Sequence, residues 1–106
     1  MINVAIVDDH QALIDGIQLK LQDEDQIQLK FYANDGKEFL SKLKHTTIDV
    51  AIIDIKMPKM DGLSLTRRIK TDFKDVKIIV LSMFDQLDAV RKLVNAEVNA
   101  YILKTS

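Results

Sequence analysis

The sequence predicts an α/β fold, a doubly wound five-stranded parallel sheet of order 2-1-3-4-5. Short β-branched runs alternate with longer segments whose apolar residues recur every three or four positions, as when strands alternate with helices. Three of the runs are almost continuously apolar, which strands covered on both faces require. The other two are alternating or short and suit the sheet edges.

INVAIV (2–7) reads as a central strand, and so do VAIID (50–54) and VKIIVLS (76–82). IQLKFYA (27–33) alternates, so Ile27, Leu29 and Phe31 are expected on one side and Gln28, Lys30 and Tyr32 on the other, half exposed at an edge. AYILK (100–104) is the second edge. Between these runs, four amphipathic helices are marked by Leu13, Ile17 and Leu21, by Phe39, Leu40 and Leu43, by Leu65, Ile69 and Phe73, and by Leu87, Val90 and Val94. Asp35 with Glu38 three residues on, and Asp85 with Asp88 three residues on, are expected helix N-caps. With edge-type strands second and fifth, 2-1-3-4-5 is the natural doubly wound order, and its crossovers are expected to be right-handed. Only Thr105 and Ser106 follow Lys104. The chain is therefore expected to stop before a fifth helix, leaving apolar surface beside the first helix for a partner.

The length of 106 residues suits one domain, residues 1–106. Fifteen basic and sixteen acidic residues give a net charge of −1 with no basic block, so no electrostatic footprint for nucleic acid or an anionic membrane is present. The absence of cysteine removes disulfides, thiolate metal sites and redox motifs. No apolar run approaches bilayer length, and a strand beginning at Ile2 leaves no room for a secretory signal, so a cytoplasmic setting is expected.

The chemistry is expected where strand order reverses, between strands one and three, because open α/β sheets bind ligands beyond the carboxyl ends of their strands. Strand one runs into Asp8 and Asp9, and strand three ends in Asp54. Two such charges about 4 Å apart repel by roughly 4 kcal/mol at an effective dielectric near 20. Protons or a divalent cation must offset this. A hard, oxygen-liking ion such as Mg²⁺ suits the set, whereas zinc is poorly served with only His10 and His45 and no cysteine. Strands four and five bring Ser82 and Lys104 to the same rim, a hydroxyl and a cation suited to a transferred phosphoryl group. The chemistry thus assembled is phosphoryl transfer to a carboxylate, with Asp54 as nucleophile.

The pieces VDDH (7–10), IIDIKMPKMDG (52–62), VLS (80–82) and AYILK (100–104) stand in order along the whole chain, which resembles a response-regulator receiver domain. VDDH and the LSMF stretch further resemble the NarL/FixJ (LuxR-type) subgroup, usually joined to a helix-turn-helix DNA-binding domain. The resemblance implies the flavodoxin-like receiver fold, a two-component signalling switch, and phosphoacceptance by Asp54 from a histidine kinase. It implies Mg²⁺ held by Asp9 and Asp54 directly, by Asp8 through water, and by the backbone carbonyl of Lys56. Ser82 and Tyr101 would move together on phosphorylation, coupling the site to helix four and strand five. The output would be transcription, through a DNA-binding domain not in this segment, with that domain or a second copy as further partners. Such a domain is no enzyme beyond catalysing its own phosphorylation and dephosphorylation. Lys56 and Phe84 are expected to flank the phosphoryl group and set its lifetime. The sequence departs from relatives at Glu97 and Ala100, where glycines are frequent, and at Thr105, where proline is frequent.

Plainer readings stand beside these. Asp9 alone could start a helix, Lys104 alone could guard an edge strand, and Tyr101 alone could be a packed aromatic. His10 reads as a helix-start residue, Pro58 and Gly62 as turn punctuation, Met57 and Met60 as loop packing, and Arg67, Arg68 and Lys70 as a solvated helix face. A Mg²⁺-dependent aspartyl phosphatase of the haloacid dehalogenase type is the competing enzyme reading, but it needs an aspartate where Lys56 stands. A flavodoxin would need a phosphate cradle where Asp8 and Asp9 would repel the ligand. An unphosphorylated scaffold would show no Mg²⁺-dependent labelling.

Overall fold

The structure is a computed structural model that describes residues 1–54, 62–82 and 100–103, with the backbone alone at Leu63, Ser82 and 100–103. The strands are β1 (Ile2–Val7), β2 (Ile27–Ala33), β3 (Val50–Asp54), β4 (Lys77–Ser82) and β5 (Ala100–Leu103), and the helices are α1 (Gln11–Gln22), α2 (Gly36–Leu43) and α3 (Gly62–Asp72). The strands pair in parallel in the order β2-β1-β3-β4-β5. The expected helix around Leu87, Val90 and Val94, with its cap at Asp85, lies outside the described residues.

Because alternate residues of a strand point to opposite faces, β1 divides the core in two. Ala5 and Val7 join Ala51, Ile53, Ile78 and Val80 beneath α2 and α3, where Phe39, Leu40, Leu43, Leu65 and Ile69 are buried. Val4 and Ile6 face the other way, toward Ile14 of α1. The first face is sealed; on the second, Ile17, Ile27, Leu29, Val50 and Ile52 are only partly buried.

Two expectations need correction. Ile27, Leu29 and Phe31 do not share a face, because the β1–β2 register slips between Val4 and Ala5, which pair with Leu29 and Phe31. Lys30 is the extra residue of this bulge, and a one-residue slip reverses every later side chain. Ile27 and Leu29 accordingly pack on the α1 side, while Phe31 packs with Phe39 on the opposite face. The α1 stripe is also centred one residue later than Leu13: Ile14 is its fully buried residue, and Leu13, Ile17 and Leu21 flank it half-buried. Two other expectations are met within the described residues. Asp35 caps α2, its carboxylate accepting the Glu38 N–H at 2.8 Å. Arg67 and Arg68 are exposed on α3 as a solvated face requires, and Arg68 pairs with Asp72 one turn on, at 3.2 Å.

Asp49 ties the amino-terminal ends of three strands together. It donates its N–H to the Asn3 carbonyl at 2.8 Å, accepts the Asn3 N–H on Oδ2 at 2.8 Å, and accepts the Lys77 N–H on its carbonyl at 2.9 Å. An open cleft lined by Leu43, Ile48, Phe73 and Val76 lies at this end of the sheet. The carboxyl ends are left for chemistry.

Candidate functional site

Parallel pairing delivers the carboxyl ends of β1 and β3 to one edge, side by side, with Val7 opposite Ile53. The chain then turns sharply after β1. The Asp8 N–H donates to the Ala33 carbonyl at 3.1 Å, and Asn34 Nδ2 donates to the Asp8 carbonyl at 3.3 Å, so the end of β2 fixes the Asp8 backbone. Asp8 Oδ1 accepts the His10 N–H at 2.8 Å, an aspartate turn that directs the chain into α1. His10 is the N-cap of that helix, and its carbonyl accepts the Leu13 and Ile14 N–H groups at 3.1 and 3.3 Å. The helix-start reading of His10 is correct for its backbone.

Its side chain does more. Nδ1 lies 3.0 Å from Asp8 Oδ1 and 3.0 Å from Asp9 Oδ1, so the ring bridges the acidic pair. Asp8, Asp9, His10 and Asp54 each offer one ligand atom, and these atoms all lie within 4.8 Å of one another. Asp8 is 0% exposed and Asp54 2%, whereas Asp9 and His10 are exposed. Two fully desolvated carboxylates beside a third make a concentrated negative charge, expensive to bury without a counter-ion. The donor set, mostly carboxylate oxygens and open to solvent on the Asp9 side, fits a hard divalent cation. The three aspartates expected to converge do so. His10, read from the sequence as a helix-start residue, also brings its ring to the acidic group.

Ser82 is the last residue of β4, one beyond the Asp54–Leu81 pairing, and is thereby placed at the same edge. Leu103, its partner on β5, immediately precedes Lys104. Tyr101 lies within β5, paired with Val80. Lys104, Lys56 and Phe84 lie outside the described residues, as do Met57, Pro58 and Met60.

Comparison with known proteins decides the family. The model of the response regulator receiver domain matches residues 4–106. The chain belongs to the response regulator receiver domain family. Receiver domains of this family are phosphorylation-activated switches of two-component systems and are typically not enzymes. Relatives include the response regulator GacA of Pseudomonas viridiflava, 33% identical over 104 residues, covering 98% of this chain and 49% of the relative. The response regulator protein VraR of Staphylococcus aureus is 33% identical over 105 residues, covering 99% and 50%. The chain spans about half the length of the curated relatives it matches. Among solved structures, the isolated receiver domain of RcsB from Salmonella enterica serovar Typhimurium, in the presence of the phosphomimetic BeF₃⁻, superimposes with a TM-score of 0.91 at 27% identity, covering 99% of this chain and 78% of that one. RcsB bound to the promoter rprA matches equally well, with a TM-score of 0.91 and coverage of 99% and 60%. These relatives agree with the NarL/FixJ subgroup indicated by VDDH and LSMF. Among the described residues, no helix of this receiver domain is long and apolar enough to cross a membrane.

Proposed function

We propose that Asp54 is the phosphoacceptor of this receiver domain and that a histidine kinase supplies the phosphoryl group. The observation that carries the reading is the burial of Asp8 and Asp54 beside Asp9 at the point where strand order reverses. An oxygen of Asp54 attacks phosphorus as the phosphorus–nitrogen bond of the kinase phosphohistidine breaks, and the imidazole leaves with that electron pair. The product is an aspartyl phosphate, and attack by water regenerates the carboxylate. Asp9 and Asp54 would hold Mg²⁺ directly, Asp8 through water, with the Lys56 carbonyl as a further ligand. When bound, the ion neutralises charge on the phosphoryl oxygens. Ser82 and Lys104 would hold those oxygens, and Tyr101 would move with Ser82 to signal through strand five. The chain catalyses only its own phosphorylation and dephosphorylation.

Residues 1–106 would act as the receiver part of a longer cytoplasmic regulator. Coverage of about half of GacA and VraR supports this, as do RcsB structures with promoter DNA. RcsB is also described as two dimers bound to two parallel DNAs, which supports an output by DNA binding and pairing of copies. The segment itself is not the DNA-binding part. The test is intact mass after incubation with acetyl phosphate, with and without Mg²⁺, on this chain and on Asp54→Asn. A Mg²⁺-dependent gain of one phosphoryl group, absent in the variant, is expected. No gain by the folded parent chain would overturn the reading in favour of an unphosphorylated scaffold.

A further inference from the structure

We infer that the His10 imidazole is a nitrogen ligand of this cation site, so that the site favours borderline transition ions over Mg²⁺ more steeply than its carboxylates alone would. The inference rests on the reading of Asp8, Asp9 and Asp54 as a divalent-cation site.

The geometry points there. His10 Nδ1 is 3.0 Å from one oxygen of Asp8 and 3.0 Å from one oxygen of Asp9. Adjacent ligands on an octahedral ion with bonds of about 2.1 Å stand roughly 3 Å apart. Nδ1 already keeps that distance from the oxygen of Asp9, the carboxylate read as a direct ligand, while Asp8 is reached through water. Asp54 closes the group, with all four donor atoms within 4.8 Å.

The ring is held there by the chain. The His10 N–H is fixed to Asp8 Oδ1 at 2.8 Å, which keeps the residue beside the acidic pair, and its Nδ1 is in hydrogen-bond contact with the same oxygen at 3.0 Å, a contact that a bound ion would replace. The side chain is 68% exposed, which leaves Nε2 able to carry the imidazole proton toward water while Nδ1 offers its lone pair. Chemistry then sets the preference. Imidazole nitrogen suits Co²⁺, Ni²⁺ and Zn²⁺, whereas Mg²⁺ takes oxygen ligands and gains little from a nitrogen. Removing the ring should accordingly cost the transition ion much and Mg²⁺ little.

The experiment measures Co²⁺ and Mg²⁺ binding to the 106-residue chain by calorimetry, with the visible absorption of Co²⁺ as a direct report on its ligands. The variants are His10→Ala, His10→Gln and His45→Ala, with circular dichroism confirming that each is folded. Both His10 variants are expected to bind Co²⁺ at least about tenfold more weakly with an altered spectrum, while Mg²⁺ affinity stays within about threefold. His45→Ala should match the parent. If the His10 variants lose Co²⁺ and Mg²⁺ affinity by the same factor, or keep the parent Co²⁺ spectrum, the ligand role of His10 is overturned and the cation site stands. If the parent binds neither ion, or binds both as tightly as Asp8→Asn does, the cation site itself fails.

Discussion

The rings of Phe31 and Phe39 meet at 5.2 Å between centroids with their planes inclined by 51°, although Leu29, two residues before Phe31, packs on the other side of the sheet. The bulge at Lys30 makes the pair possible, and the pair holds edge strand β2 against α2. Tilted aromatic pairs contribute about 0.5–1.5 kcal/mol beyond their buried area. Phe39 is fully buried, so Phe39→Ala should cost about 3–5 kcal/mol, a large share of a small domain's stability. Phe31 is only partly buried, and Phe31→Ala should cost clearly less. Urea unfolding of both variants checks the order; equal losses would mean that the contact does not depend on burial of Phe39.

Asp8→Asn keeps the shape of the side chain and an oxygen for the His10 N–H, but removes one charge from the fully buried member of the acidic group. Like charges about 4 Å apart repel by roughly 4 kcal/mol at an effective dielectric near 20, so relief of part of this should raise metal-free stability by about 1 kcal/mol or more. The same change should shrink the stabilisation by Mg²⁺, which follows binding to the folded state. Thermal unfolding with and without Mg²⁺ measures both. A variant less stable than the parent without metal would show that the Asp8 charge is compensated within the protein.

Thr66 presents a simpler case. It is fully buried in α3, and its Oγ1 has no hydrogen-bond partner among the described residues. A buried hydroxyl without a partner costs about 1–3 kcal/mol, and an isosteric apolar group avoids that cost. Thr66→Val should therefore be neutral or stabilising by about 1 kcal/mol, since both residues are β-branched and carry about the same helix propensity. A loss of more than about 1 kcal/mol in denaturant unfolding would reveal a bond made by that hydroxyl.

Strand order and the convergence of Asp8, Asp9 and Asp54 were legible because both follow from patterns that burial imposes directly. A strand covered on two faces must be apolar throughout, and a parallel sheet must bring its carboxyl ends to one edge. The side of the sheet on which Phe31 packs was not legible, since alternation fixes a face only while register is kept, and nothing in IQLKFYA distinguishes a bulge at Lys30. The contact of the His10 ring with Asp8 and Asp9 was not legible either, because a helix-start position fixes the backbone of a residue and not the direction of its side chain. Ile14 was overlooked because Leu13, Ile17 and Leu21 formed a stripe of their own, and a helix stripe locates a face only to within one residue.

Asp49 gives the sheet a fixed root. Its three short hydrogen bonds bind β1, β3 and β4 at the ends where the strands begin, opposite the edge that carries Asp8 and Asp54. With β1 and β3 paired as far as Val7 and Ile53, and β3 and β4 as far as Asp54 and Leu81, that root sets the register in which the strands deliver Asp8 and Asp54 to one line at the far edge.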